Sequence, residues 1–398
     1  MRFLRVTGVI AGACAEASPV ALSPAANVVA NCLRFIVITI PPLHYTHCMI
    51  RIAALLALSF VSLAQDYTAE RTTDHGIPVV RLADTVNGVE VAIVPSVGNT
   101  AYEMNVHGKN ILYFPYADVA EFQKKPQLSA VPFLAPWANR LDEQAFWANG
   151  KRYAFDMNLG NVRGDNPIHG LLSSSPYWQV ISVAGDKRSA RVTSRLEFWR
   201  YPELMAQWPF AHEYEMTYTL KDGMLEVRVA ITNLSSEPMP VAIGFHPYYR
   251  IPDVPRDQWI GHIPARQRVV ADNRLIPTGE YRAIDIPEQF PLRGRTLDDG
   301  FIDLQRDADG RAVFSIEAPG ENGKTRKIEA MFGPKYPAAV VWEPNTPNGE
   351  PQPFICFEPM TGVTDAVNLA HQGKYPDLQT IPPGGKWSES FWIRASGF

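Results

Sequence analysis

Five short segments set polar or charged side chains inside apolar, strand-like surroundings. They are Pro136-Trp137-Ala138-Asn139-Arg140-Leu141, Asn166-Pro167-Ile168-His169-Gly170-Leu171, Ile243-Gly244-Phe245-His246-Pro247-Tyr248, Leu297-Asp298-Asp299-Gly300-Phe301 and Ile355-Cys356-Phe357-Glu358-Pro359. A charge taken out of water is costly unless it is paired or hydrogen-bonded. Two histidines, an arginine, an aspartate and a glutamate in such settings point to a cleft. The chemistry they could do is proton transfer: histidine titrates near neutrality, and a partly buried glutamate gains basicity. Each residue alone has a plainer reading. His169 before Gly and His246 before Pro read as turn or satisfied core residues, and Arg140 as a structural ion pair. Asp298-Asp299-Gly300 reads first as a turn. Glu358 is either a buried acid or the end of an apolar strand. Spacing alone does not identify a reaction.

The elements that must position these residues are strands. Period-two alternation runs through Val89 to Val94, Tyr177 to Val183, Ala190 to Phe198, Met216 to Leu220 and Leu225 to Thr232. Lys221-Asp222-Gly223 joins the last two as a hairpin, and Asn149-Gly150 joins Phe146-Trp147-Ala148 to Arg152-Tyr153-Ala154 in the same way. Asp309-Gly310 and Asn322-Gly323 give further turns. Later strands are expected at Val313 to Ile316, Ala338 to Trp342, Pro353 to Phe357 and Ser390 to Arg394. No apolar stripe of helical period lasts beyond two turns. The expectation is an all-β chain with two large antiparallel sheets packed face to face, forming one domain over residues 65–398.

The front of the chain differs in texture. Residues 49–65 read MIRIAALLALSFVSLAQ: Arg51 supplies a positive start, Ile52 to Leu63 an apolar run, and Ser62-Leu63-Ala64 small residues for cleavage. This has the form of a secretory signal peptide over residues 49–64, too short and wrongly flanked for a spanning helix. Residues 1–48 have no periodicity and read as a non-native or disordered extension upstream of the true start, Met49. The expected location is periplasmic or secreted, or cytoplasmic if the leader is not used. Residues 1–64 hold four arginines and one glutamate, so the formal charge falls from −4 to −7 without them. They also hold Cys14, Cys32 and Cys48, which leaves Cys356 and no internal disulfide. His44, His47 and Cys48 form an H-x-x-H-C cluster that reads as chance.

Composition excludes several classes. The balanced charge argues against a nucleic-acid footprint, and the 11% aromatic content against disorder. The 34 prolines disfavour long helices. There is no G-x-G-x-x-G, Walker A or G-x-S-x-G motif. Asp307-x-Asp309-Gly310 resembles a calcium loop, but Gln305 and Ile316 stand where acids are required. Asn233-Leu234-Ser235 is a glycosylation sequon.

The five segments, in this order, resemble the aldose 1-epimerase (galactose mutarotase) family. The matching pieces are A-N-R-L and F-W-A-N-G-K-R-Y, I-H-G-L-L with Trp178 after it, W-P-F-A-H-E-Y-E-M-T-Y-T-L, D-G-M-L-E-V and T-N-L. G-F-H-P-Y-Y, L-I-P-T-G-E, L-D-D-G-F and F-E-P-M-T-G-V-T-D-A-V-N complete the set, which spans about residues 79–396. The resemblance implies a large β-sandwich, the galactose mutarotase-like supersandwich. It also implies interconversion of the α and β anomers of free aldoses such as glucose or galactose, with no metal or organic cofactor. By motif match Glu358 is the base at the anomeric O1–H and His246 the acid at the ring oxygen O5. His169, Arg140, Asp298 and Asn139 would bind the sugar, and Trp137, Phe245 and Tyr248 would shape the cleft or belong to the core. Asp299 and Gly300 stand where many members carry His-Asn, which leaves substrate preference open.

Three other readings compete. A hexose-6-phosphate epimerase needs extra cations, for which Arg163, Arg250 and Lys151 are candidates. A glycoside hydrolase needs two carboxylates across one bond, and only Glu358 has a strong motif match. A non-catalytic carbohydrate-binding protein predicts that Glu358 and His246 do not converge.

Overall fold

Alternation dictates the sheets. In the computed structural model, which describes residues 66–158 and 162–398, His212–Lys221 and Met224–Asn233 bury every second side chain. Asp222 and Gly223 join them with φ of 51° and 69°, the pair of left-handed residues that a tight hairpin turn demands. The register runs unbroken from His212 opposite Asn233 to Lys221 opposite Met224. The expected leader over residues 1–64, with its three cysteines and His44 and His47, lies outside the described residues.

That hairpin belongs to a nine-stranded antiparallel sheet. Its order is Gln179–Gly185, Ala190–Glu197, His212–Lys221, Met224–Asn233, Lys386–Ser396, Thr325–Phe332, Ala312–Pro319, Ile260–His262 and Phe290–Pro291. An eight-stranded sheet carries the chemistry. Its order is Pro277–Ala283, Ala265–Ala271, Leu297–Leu304, Ala338–Glu343, Ile355–Met360, Gly244–Phe245 and Phe133–Leu134, with Tyr248–Tyr249 also pairing Ile355–Met360. One large core, with Trp137, Trp208, Tyr214, Phe245 and Phe357 among its members, joins residues from both sheets. The α-helices among the described residues, Val119–Lys124, Pro202–Gln207 and Ala366–His371, have six residues each.

The two-sheet expectation needs correction. Tyr67–Asp74, Ile77–Asp84, Val89–Val94, Thr100–Val106 and Lys109–Asn110 form a third, five-stranded sheet in chain order. Each of these strands finds its partner in the next, so the meander completes its own ladder while Val79, Leu82, Val91 and Ile93 enter the common core. Two local readings also change. Asp298-Asp299-Gly300 is not a turn: all three residues lie in the strand Leu297–Leu304, opposite Trp342, Val341 and Val340. Glu358 is not a strand end but the fourth residue of Ile355–Met360. Asn233 of the sequon is buried, and its amide donates to the carbonyls of Glu237 and Ile381.

Candidate active site

A break in the ladder brings Glu358 and His246 together. Gly244 pairs with Met360, and Tyr248 with Cys356. Between these two short pairings Phe245 pairs with Phe133 rather than with Ile355–Met360, and the His246 N–H donates to Pro132 O at 3.1 Å. The gap lies opposite Glu358 and Pro359. A proline there costs no hydrogen bond on that edge, because no partner strand asks for its missing N–H. His246 Nε2 then meets Glu358 Oε1 at 3.1 Å, with both side chains almost fully buried. Glu358 Oε2 and His246 Nδ1 have no hydrogen-bond partner among the described residues.

Arg140 and His169 are placed by one another's segments. Leu141 N–H donates to Pro167 O at 3.0 Å, His169 N–H to Asn139 O at 3.0 Å and Leu171 N–H to Ala135 O at 2.7 Å. Asn139 and His169 both adopt left-handed backbone, with φ of 57° and 61°. Gly170 follows with φ of 63°, and a Cβ there would lie 2.2 Å from the Ala135 carbonyl, so only glycine allows this approach. Asn139 Oδ1 accepts from both the backbone N–H and Nη1 of Arg140, at 2.8 and 3.1 Å.

These residues line a cleft of about 300 Å³, together with Asp298, Tyr248, Arg163, Gln127, Ser173 and Trp342. The six candidates Glu358, His246, Arg140, His169, Asp298 and Asn139 all border it. His246 is enclosed by aromatic rings: Tyr248 stacks on it at 4.7 Å, while Trp342 and His169 meet it edge-on at 5.5 and 5.3 Å. Trp137 and Phe245 do not reach the cleft. Trp137 packs on Phe155 and Trp208, and Phe245 on Phe133 and Phe391.

Burial sets the protonation of the pair. It pushes Glu358 well above the ordinary carboxylate range, with Asp298 adding to the rise and Arg140 opposing it. It pushes His246 well below neutrality, and lowers His169 as well, with help from His246 and Arg140. The two shifts favour a pair that holds one proton and no net charge. Asp298 is open to solvent at the cleft mouth, yet partial desolvation still lifts its carboxyl against the pull of Arg140. Its side chain accepts no hydrogen bond from the described residues. No group of three or more His, Cys, Asp or Glu among them is placed to hold a metal ion.

Sequence reasoning missed three functional positions. Trp342 reaches the cleft from the apolar run ending Ala338–Glu343, where period two alone gives its side. Asp365 and Asn368 lie in the motif T-D-A-V-N, already quoted but given no role. Asp365 Oδ1 accepts the Asp142 N–H at 3.0 Å, and Asn368 donates to Ala145 O and Asp365 and accepts from the Trp147 N–H. This network anchors the segment just after Arg140. Burial lifts Asp365 to about 7. Of the three phosphate-reading cations only Arg163 lines the cleft. Arg250 Nε donates to Asn110 O, and Lys151 pairs with Glu237 at 2.7 Å.

The family model described as aldose 1-epimerase matches residues 78–394. The uncharacterized protein YphB of Escherichia coli (strain K12) is 24% identical over 272 residues, covering 66% of this chain and 82% of that protein. YihR of the same organism is 26% identical over 159 residues, and the match spans about half its length, 48%. Among solved structures, a galactose mutarotase-like protein from Clostridium acetobutylicum superposes with a TM-score of 0.73 at 23% identity, over 84% of this chain and 99% of that one. The Slr1438 protein of Synechocystis sp. PCC 6803 gives 0.62 at 26% identity, over 83% and 98%. Galactose 1-epimerase from Lactobacillus acidophilus NCFM gives 0.63 at 15% identity, over 84% and 99%, a likeness of fold.

Proposed function

The chain belongs to the aldose 1-epimerase family, and from that premise we propose that it is a mutarotase interconverting the α and β anomers of a free aldose. The observation that carries the reading is the buried contact between Glu358 and His246 at 3.1 Å, inside a cleft lined by polar groups.

Ring opening needs one proton removed from O1 and one delivered to O5. Glu358 takes the O1 proton as His246 releases its own to O5, and the C1–O5 bond breaks to give the open-chain aldehyde. Rotation about C1–C2 presents the other carbonyl face. Glu358 then returns its proton to O1, His246 recovers the O5 proton, and O5 closes on C1. The pair starts and ends with one proton, which passes between the two residues along their existing contact when the free enzyme rests as the neutral pair. His169 and Arg140 bind sugar oxygens, and Arg140 steadies charge developing at oxygen as the ring opens. Asp298 and Asn139 accept from and orient the hydroxyls. The chemistry is carried by side chains of this chain and calls on no cofactor.

Polarimetry or NMR of freshly dissolved α-D-glucose and α-D-galactose tests this. The protein should speed equilibration, and Glu358→Gln should abolish the gain. A Glu358→Gln protein as fast as wild type would remove Glu358 from the mechanism.

One observation favours a second substrate class. Arg163 at the cleft could face an anionic sugar, as a hexose-6-phosphate epimerase requires. The reading loses Arg250 and Lys151, which are engaged elsewhere. We also propose export to the periplasm or beyond, on the signal-like run of residues 49–64. Mass spectrometry of exported protein should find Gln65 as the first residue, and a form beginning before Met49 would contradict it.

A further inference from the structure

We infer that Tyr248 is a positioning residue of the proposed reaction, one that acts through His246. Its ring face holds the imidazole in place and stabilises the cation that the imidazole becomes while it carries the proton bound for O5. The inference rests on the mutarotase reading above and adds a residue to its machinery.

The backbone makes the stack. The His246 N–H donates to Pro132 O at 3.1 Å, and the Tyr248 N–H to Ala130 O at 2.8 Å. Residues two apart on one extended segment thus fix residues two apart on the other, and such residues project to the same side. The position between them is Pro247, which has no N–H to leave unsatisfied. Tyr248 O accepts from the Tyr113 N–H at 2.9 Å, and Tyr248 pairs with Cys356 in the ladder. The ring itself is buried, with Phe354 packed on it at 5.0 Å and Trp342 at 6.1 Å, both at steep angles. Its place is therefore set before any ligand arrives.

His246 needs such a neighbour. In a histidine that handles protons, a hydrogen bond at the second ring nitrogen usually fixes the ring. His212 shows that arrangement in this chain, with Nδ1 at 2.6 Å from Phe210 O. His246 Nε2 meets Glu358 at 3.1 Å, but its Nδ1 has no hydrogen-bond partner among the described residues. Packing then has to set the plane of the ring. The titratable and charged groups around it are Glu358, His169 and Tyr248 and, lining the same cleft, Arg140, Arg163 and Asp298. His169 and Trp342 stand nearly perpendicular to the imidazole, at 82° and 78°. Tyr248 lies at 19° to it, with the centroids 4.7 Å apart, and is the one ring among the described residues that lies face to face with it.

The face of an aromatic ring is negative and attracts a cation within about 6 Å of its centre, more strongly where water is excluded. The neutral pair must become an ionised Glu358 and a protonated His246 before it can react. One proton moves, the Glu358 O–H bond breaks, the His246 N–H bond forms, and two charges appear where burial disfavours each. Arg140 favours the carboxylate half of that pair. Tyr248 favours the imidazolium half.

The test measures anomer exchange of fresh α-D-galactose by polarimetry. Tyr248→Phe keeps the ring face and should hold kcat within about threefold of wild type. Tyr248→Leu loses the face and should lower kcat about thirtyfold, the equivalent of about 2 kcal/mol, with KM within about threefold. Phenylalanine carrying one, two or three ring fluorines at position 248 keeps the shape while draining the face of negative charge. Along that series kcat should fall stepwise, and this series decides the matter if Tyr248→Leu does not fold. A flat series would reduce Tyr248 to packing and overturn the inference. Tyr248→Phe as slow as Tyr248→Leu would place the effect in the hydroxyl and overturn it too. If the wild-type protein speeds no free sugar, the mutarotase reading fails by itself, and nitrogen-15 NMR of labelled histidine still decides the contact. His246 should then take up its proton at more acid pH with each added fluorine, and an unmoved titration overturns the inference.

Discussion

The solvent face of the nine-stranded sheet and the strand Ile355–Met360 of the eight-stranded sheet handle charge in opposite ways. On the first, charged side chains stand at the solvent face. Arg195 meets Glu215 at 2.6 Å across neighbouring strands, and Lys327 meets Glu317 and Glu329 at 3.1 and 3.4 Å. On the second, all six residues of Ile355–Met360 are buried, and Glu358 in their midst meets His246 at 3.1 Å. The ladder geometry is the same, but the solvent is not. Water stabilises both members of an exposed pair, which therefore adds only about 0–1 kcal/mol. Without water, burial drives each member of the inner pair toward its neutral form, so that a proton is easily exchanged there. The difference separates a solvated outer pair from a buried inner pair that, on the proposed mechanism, moves a proton.

The largest effect should come from the inner pair. His246→Gln should lower kcat for anomer exchange by about 10²–10⁴, measured by polarimetry, with little change in melting temperature. Loss of fold rather than rate would break the contrast. Next is the network that holds the segment after Arg140. Asn368→Ala removes several buried hydrogen bonds and should cost on the order of 2–3 kcal/mol in urea unfolding, with a raised KM.

Glu343 sharpens the comparison from within the eight-stranded sheet. It is fully buried, neither carboxylate oxygen has a hydrogen-bond partner among the described residues, and burial lifts it to about 7. A raised acid favours the folded state only while protonated. Stability should therefore fall as pH rises from the free value of 4.5 to about 7, and level off above. Glu343→Gln should remove that slope and add on the order of 2 kcal/mol at pH 8, with activity unchanged. Unfolding curves at pH 5 and pH 8 check it. The smallest effect belongs to the outer pair: Arg195→Ala should cost under about 1 kcal/mol and leave the rate alone.

Alternation made the nine-stranded sheet readable, because one face meets water and the other the core. The run expected at Leu225 to Thr232 lies within the strand Met224–Asn233, and Asp222-Gly223 turns where expected. The eight-stranded sheet hides the same signal. Its inner face meets a cleft, so Asp298 and Gly300 stand in a strand but have the composition of a turn. Pro359 made Glu358 look like a terminus, since only the broken ladder opposite excuses a proline there. The residues that line the cleft were legible as odd polar groups, and the ordered motifs gave them expected roles by resemblance. Trp342 was not, because nothing in an apolar run marks which face overlooks a cleft.

The grip of Asn139 on Arg140 has one more consequence. A free arginine side chain carries about 2 kcal/mol of rotamer entropy, which a ligand must remove before it can use the guanidinium. Asn139 Oδ1 holds both the Arg140 backbone N–H and Nη1, so much of that freedom is lost when the chain folds. On the proposed function, a sugar arriving at the cleft would meet a donor array that is already still, and its hydroxyl contacts would go into affinity and alignment rather than into ordering the protein.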